Sequence, residues 1–128
     1  MNQILFISSY LCGLIIVFQL LNNFSYDIKY LRLFVILTIG IIVSLLNHGS
    51  TSNIFKYIDR LCMSLILFYL IILLYVYPNL RNYYYLLILA ILLYLVKFVY
   101  KNRISYLMCH IIITVYIYLF VKMYNHTL

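Results

Sequence analysis

Five long runs of apolar residues dominate the sequence and constrain what it can fold into. They cover residues 4–21, 31–46, 61–77, 83–100 and 104–121, and each is 16 to 18 residues long. At about 1.5 Å of rise per residue, an α-helix of that length reaches ~27 Å, close to the hydrocarbon thickness of a thin bilayer. Only 9% of the residues are charged and the mean hydropathy is +1.10, so the chain lacks the ionic surface of a soluble domain. We therefore predict an integral, multi-pass membrane protein.

Polar and turn-forming residues separate the runs: Asn22-Asn23, residues 47–53, Pro78-Asn79 and Asn102. An apolar stripe that begins at Ile54 moves the start of the third helix to residue 54. The sequence thus predicts an all-α, polytopic transmembrane helix bundle in a single domain, 1–128, with five spans at about 4–21, 31–48, 54–77, 83–100 and 104–121. Three glycines and one alanine are too few for a seam of small residues, so bulky side chains are expected to form the helix contacts.

The net charge of +7 does not indicate nucleic acid, because the basic residues stand singly or in small groups between the apolar runs. Membrane lipids are the expected partners, and assembly into a homo- or hetero-oligomer in the membrane is a further possibility. Five spans put the two termini on opposite sides. The N-terminal side carries five basic residues against four, which favours a cytosolic N-terminus under the positive-inside rule. The short runs favour an endoplasmic-reticulum-like or other thin membrane.

Four polar residues in or beside the apolar runs are the candidates for function. Ser44 and His48 stand four residues apart near the end of the second helix and share a face. Asp59 lies in the first turns of the third helix, and His110 lies about two turns into the fifth. The second helix runs towards the side from which the third and fifth depart. The sequence therefore predicts that these residues meet in one leaflet, where an ionisable group indicates a functional site.

Two imidazoles and a carboxylate from three helices are a ligand set for zinc, which would lower the pKa of a bound water to about 7. Asp59 would either bind the metal or act as the base for that water. A different interpretation stays open. His48 and Asp59 would then be solvated at the interface, with Asp59 paired to Arg60 or Lys56, and His110 would be hydrogen-bonded within the bundle to a serine, threonine or carbonyl.

The spacing Ser44-Leu-Leu-Asn-His48, with Asp59 eleven residues later and His110-Ile-Ile-Ile-Thr114 in the last helix, resembles the motifs of the CREST membrane hydrolases. That superfamily includes alkaline ceramidases, progestin and adipoQ receptors and Per1-like proteins. The resemblance implies that Ser44 and Asp59 position or activate a catalytic water, that His48 and His110 ligate zinc, and that a lipid amide or ester is hydrolysed. The family has seven spans, and a second histidine in its last helix. Here Tyr106 or Thr114 occupies that place.

Two functions follow from these observations. The first is a metal-dependent hydrolase that acts on a membrane lipid, as a reduced relative of the ceramidase-like enzymes. The second is a non-catalytic multi-pass membrane protein that serves as an assembly or interaction factor. It would be either a relative that has lost its metal or an unrelated small bundle.

Overall fold

The computed structural model describes residues 3–99 and 103–127, and within those ranges the fold is all-α. Its elements are α1 (Gln3–Asn22), α2 (Ile28–His48), α3 (Asn53–Val76), a 3-10 segment (Pro78–Tyr83), α4 (Tyr84–Val99) and α5 (Arg103–Thr127). The predicted helical bundle is confirmed.

Helices α1, α2, α3 and α5 are each long and apolar enough to cross a membrane, judged by length and composition. Helix α4 is apolar but has only 16 residues, because the 3-10 segment takes up the residues that precede it. Of the five predicted spans, four therefore form helices of spanning length and the fourth in sequence forms a shorter one. These are the helices of an integral, multi-pass membrane protein.

Two helix ends differ from the sequence prediction by more than one residue. Helix α2 begins at Ile28, because the side chain of Asp27 accepts a hydrogen bond of 2.8 Å from the backbone N–H of Lys29 and caps the helix. Helix α5 continues past residue 121 to Thr127, and Tyr124 in this extension is buried. Residues 100–102, where the fourth predicted span ends and the loop to the fifth lies, are outside the described residues.

The helices form a bundle in which α5 packs against α1 and α4, and α2 packs against α1 and α3. Two glycines let neighbouring helices approach closely, a role that the expectation of bulky contacts missed. A Cβ atom at Gly13 of α1 would lie 2.7 Å from Cγ2 of Ile41 in α2, and one at Gly40 of α2 would collide with Cδ1 of Ile66 in α3. At both positions a side chain of the neighbouring helix occupies the place that a Cβ atom would take.

The largest fully buried side chains gather towards one end of the bundle, which we call the closed end: Leu20, Tyr30, Leu33, Leu70, Leu80, Tyr116, Phe120, Val121 and Tyr124. On α5, Tyr116, Phe120 and Tyr124 follow one another at four-residue spacing, and the centroids of successive rings are 5.8 Å apart. The hydroxyl of Tyr30 donates to the backbone carbonyl of Leu20, which ties α2 to α1. Dense aromatic packing thus fixes this end of the molecule.

Candidate functional site

The opposite end of the bundle brings together the four residues singled out from the sequence. The rings of His48, at the end of α2, and His110, on α5, are arranged edge to face, with centroids 5.2 Å apart and an interplanar angle of 73°. Ser44, Asp59 and His110 line one cavity together, and His48 and Asp59 line a second. We call this group the polar chamber: Ser44, His48, Asp59 and His110, with their hydrogen-bond partners Ser8, Ser9 and Asn47.

Asp59 is a buried carboxylate and only 6% of its surface is exposed. The side-chain amide of Asn47 donates a hydrogen bond of 2.8 Å to its Oδ2, so the carboxylate joins α3 to the last turn of α2. Burial of a carboxylate is costly unless polar partners surround it. A freely solvated Asp59, one part of the alternative interpretation, is therefore not what the structure contains.

Two consecutive serines of α1 each contact one of the predicted site residues. The hydroxyl of Ser8 lies 3.1 Å from Nδ1 of His110, and the hydroxyl of Ser9 lies 2.9 Å from that of Ser44. The first contact matches the alternative interpretation, in which His110 is hydrogen-bonded to a serine. It also matches a metal site, because a histidine ligand commonly has its other ring nitrogen hydrogen-bonded.

Two cavities meet at the polar chamber. The inner cavity, of about 70 Å³, lies between α1, α2, α3 and α5; Ser9, Ser44, Asp59, His110 and Thr114 provide its polar wall, and the rest of its lining is mostly apolar. The outer cavity, of about 190 Å³, is lined by Leu5, Asn47, His48, Lys56, Asp59, Arg60 and Tyr106. Asp59 borders both. Asp59 therefore lies between a cavity with several polar side chains and a mostly apolar one.

The donor atoms fit zinc in kind, since imidazole nitrogen and carboxylate oxygen are its usual ligands beside thiolate. His48, His110 and Asp59 also equal in number the three protein ligands that a catalytic zinc site takes. No group of three His, Cys, Asp or Glu side chains within 3–99 and 103–127 is placed to hold one ion. Thr114, one of the two residues at the missing histidine position, donates its hydroxyl to the carbonyl of His110, 2.6 Å away. Tyr106, the other, borders the outer cavity.

Sequence reasoning missed Ser8, Ser9 and Asn47. A faint signal for each is present, since Ser8-Ser9 is a polar pair inside an apolar run and Asn47 directly precedes His48.

Chemically, the chamber offers a carboxylate to accept a proton, a hydroxyl to orient a water, and two imidazoles to hold a cation or move a proton. Ser44, Asp59 and His110 also line the mostly apolar inner cavity.

Comparisons of the chain with protein-family models, curated proteins and solved structures give no match.

Proposed function

We propose that the chain is an integral membrane hydrolase that cleaves the amide or ester bond of a membrane lipid, with a site similar to that of the ceramidase-like CREST enzymes. One observation carries the proposal. Imidazoles from α2 and α5, the Asp59 carboxylate from α3 and the Ser44 hydroxyl converge on a chamber that opens into an apolar cavity. A soluble substrate would not need that interior, whereas its mostly apolar lining suits the part of an acyl chain that lies next to the scissile bond.

In this proposal His48 and His110 would hold a zinc ion. When bound, zinc supplies Lewis acidity and a water that ionises near neutral pH. The Asp59 carboxylate, whose Oδ2 already accepts from Asn47, takes the proton of the water whose oxygen adds to the acyl carbon. The C–N or C–O bond then breaks, and Asp59 returns the proton to the departing amine or alcohol. Ser44, fixed by Ser9, orients the water, and Ser8 orients His110.

The test measures zinc content and hydrolysis of ceramide and phospholipid substrates by the purified protein in detergent. We expect zinc bound near one per chain and lost in the double variant His48→Ala with His110→Ala. Asp59→Asn is expected to keep zinc and to lose about 10²–10⁴-fold of the rate, the range for removal of an acid–base group. Ser44→Ala is expected to keep zinc and to lose up to about 10²-fold, the cost of a misplaced water. His126→Ala is the control for loss of a histidine, because position 126 lies ~24 Å along α5 from position 110.

A folded protein that binds no zinc and cleaves none of these lipids would overturn the hydrolase. It would instead support the alternative, a non-catalytic assembly or interaction factor. Circular dichroism of the purified protein reports whether the helices are intact, so loss of fold is distinguished from absence of chemistry.

We also propose that the N-terminus faces the cytosol, in an endoplasmic-reticulum-like or other thin membrane. The small excess of basic residues on the N-terminal side and the lengths of the apolar runs support this orientation and membrane type. In a cysteine-free background, an impermeant maleimide applied to intact organelles should label Thr51→Cys and spare Tyr26→Cys. Both positions are exposed and lie in loops at opposite ends of α2. The reverse pattern would invert the orientation.

A further inference from the structure

The outer cavity carries an excess of positive charge. Lys56 and Arg60 stand four residues apart on α3 and both line the cavity, against the single carboxylate of Asp59. One oxygen of that carboxylate is already held by the amide of Asn47. The hydrolytic roles proposed above use neither Lys56 nor Arg60. Two cations beside a cavity of about 190 Å³ form a site for an anionic group.

The depth of this cavity matches the lipid headgroup layer. Helix α3 has 24 residues and is ~36 Å long, whereas the hydrocarbon core of a bilayer is about 30 Å thick. Lys56 and Arg60 lie three and seven residues after Asn53, where α3 begins, so they are ~5 and ~10 Å from that end of the helix. A helix centred in the bilayer extends about 3 Å beyond the hydrocarbon at each end, so the backbone of Lys56 lies near the boundary and that of Arg60 about 7 Å inside it. Both side chains are long enough to extend outwards to the layer of the lipid phosphate groups.

The walls of the outer cavity favour an amphipathic ligand over a free anion. Leu5 of α1 and Tyr106 of α5 form its apolar side, and Asp59 joins it to the mostly apolar inner cavity. We infer that the outer cavity binds the phosphate group of a membrane phospholipid, with Lys56 and Arg60 as its ligands. The part of this inference that names a substrate class rests on the proposed hydrolase function. The substrate is then a phosphate-bearing lipid, with the linkage to be cleaved held near Asp59.

The test compares two probes that differ only in the phosphate. Dioleoyl phosphatidic acid and dioleoylglycerol are titrated into the full chain in an uncharged detergent, and bound lipid is counted by native mass spectrometry. We expect phosphatidic acid to bind at least about tenfold more tightly, as one charge-assisted hydrogen bond contributes about that factor. Lys56→Gln and Arg60→Gln should each remove about tenfold of this preference. Lys122→Gln, which removes an exposed cation from the C-terminal half of α5, is the matched control and should keep it.

Charge-preserving variants separate recognition from folding. Lys56→Arg and Arg60→Lys should retain most of the preference, while thermal unfolding of all variants is followed in the same detergent. Equal binding of the two probes, or an unchanged preference in the double variant Lys56→Gln with Arg60→Gln, would overturn the inference. So would displacement of phosphatidic acid by millimolar inorganic phosphate, because the site would then bind the free anion.

This binding experiment needs neither zinc nor turnover, so its failure is distinct from failure of the hydrolase. Cleavage of ceramide without a preference for phosphatidic acid would keep the proposed hydrolase and reject the phosphate site. Selective binding of phosphatidic acid by a protein that cleaves no lipid would keep the phosphate site and reject the hydrolase.

Discussion

The closed end and the polar chamber occupy opposite ends of one bundle and are built in opposite ways. At the closed end, Tyr116, Phe120 and Tyr124 form a continuous aromatic row, and their side chains are almost completely buried. At the chamber, the same helix contributes His110 and Thr114 to the wall of a cavity. A single helix thus changes from filled core to cavity wall within about two turns.

This difference indicates how a short chain can combine order with an open site. Close packing supplies stability, because each gap in a core removes contact energy. A site for a lipid needs the reverse, namely empty volume and polar groups that face it. Concentrating the packing at the closed end lets the other end keep two cavities and a buried carboxylate. Substitutions in the two regions test that division.

Leu70 and Leu67 of α3 give the most direct comparison, since one turn separates the same residue type in the two regions. Leu70 is fully buried at the closed end, whereas Leu67 lines the inner cavity. We expect Leu70→Ala to lower the free energy of unfolding by roughly 3 kcal/mol and Leu67→Ala by roughly 1 kcal/mol less, because a side chain beside a void loses fewer contacts. Unfolding in mixed micelles by a denaturing detergent measures both.

Equal losses from the two leucine variants would contradict the comparison, as would a larger loss from Leu67→Ala. Either result would mean that packing around the inner cavity stabilises the bundle as much as the closed end does.

Ser8 tests whether α1 only packs against the chamber or also orients it. If Ser8 fixes the ring of His110, Ser8→Ala should weaken zinc binding by about 10–100-fold, the effect of removing a hydrogen-bond partner of a metal ligand. Ser8→Thr keeps a hydroxyl and should restore most of the affinity. Ser9→Ala is the neighbouring control, because the Ser9 hydroxyl is hydrogen-bonded to that of Ser44. Equal zinc affinity in wild type and Ser8→Ala would mean that Ser8 only packs against the chamber and does not orient His110.

The sequence predicts the helices and the meeting of the site residues better than it predicts their neighbours. Apolar runs become helices because a backbone in lipid must satisfy its own hydrogen bonds. The spacing of Ser44 and His48 and the alternating helix directions then suffice to bring both towards Asp59 and His110. The contacts of Ser8 and Ser9 depend on how α1 is rotated about its axis. That rotation is set by packing, through close approaches such as that of Gly13 to Ile41, and no spacing rule encodes it.

Tyr30 and Tyr116 test how a buried hydroxyl at the closed end changes the free energy of unfolding. Both tyrosines are fully buried. The Tyr30 hydroxyl donates to the carbonyl of Leu20, whereas the Tyr116 hydroxyl has no hydrogen-bond partner among the residues that the structure describes. Tyr30→Phe should therefore lower the free energy of unfolding by about 0.6–1 kcal/mol, and Tyr116→Phe should raise it by up to about 1 kcal/mol. Destabilisation by Tyr116→Phe would indicate a partner for that hydroxyl, such as a bound water.

Gly40 and Gly13 give the smallest and most local comparison, because both line the inner cavity but face different obstacles. A methyl group at Gly40 meets Cδ1 of Ile66, the end of a flexible side chain that can turn into the cavity. At Gly13 it meets Cγ2 of Ile41, which is attached at the branched Cβ and moves only with the whole rotamer. We expect Gly40→Ala to change the free energy of unfolding by less than about 0.5 kcal/mol, since helix propensity offsets the clash, and Gly13→Ala to lower it by about 1 kcal/mol. If Gly40→Ala lowers the free energy of unfolding more than Gly13→Ala does, the inner cavity has no room for Ile66. The bundle around the polar chamber is then packed more tightly than the volumes of its cavities indicate.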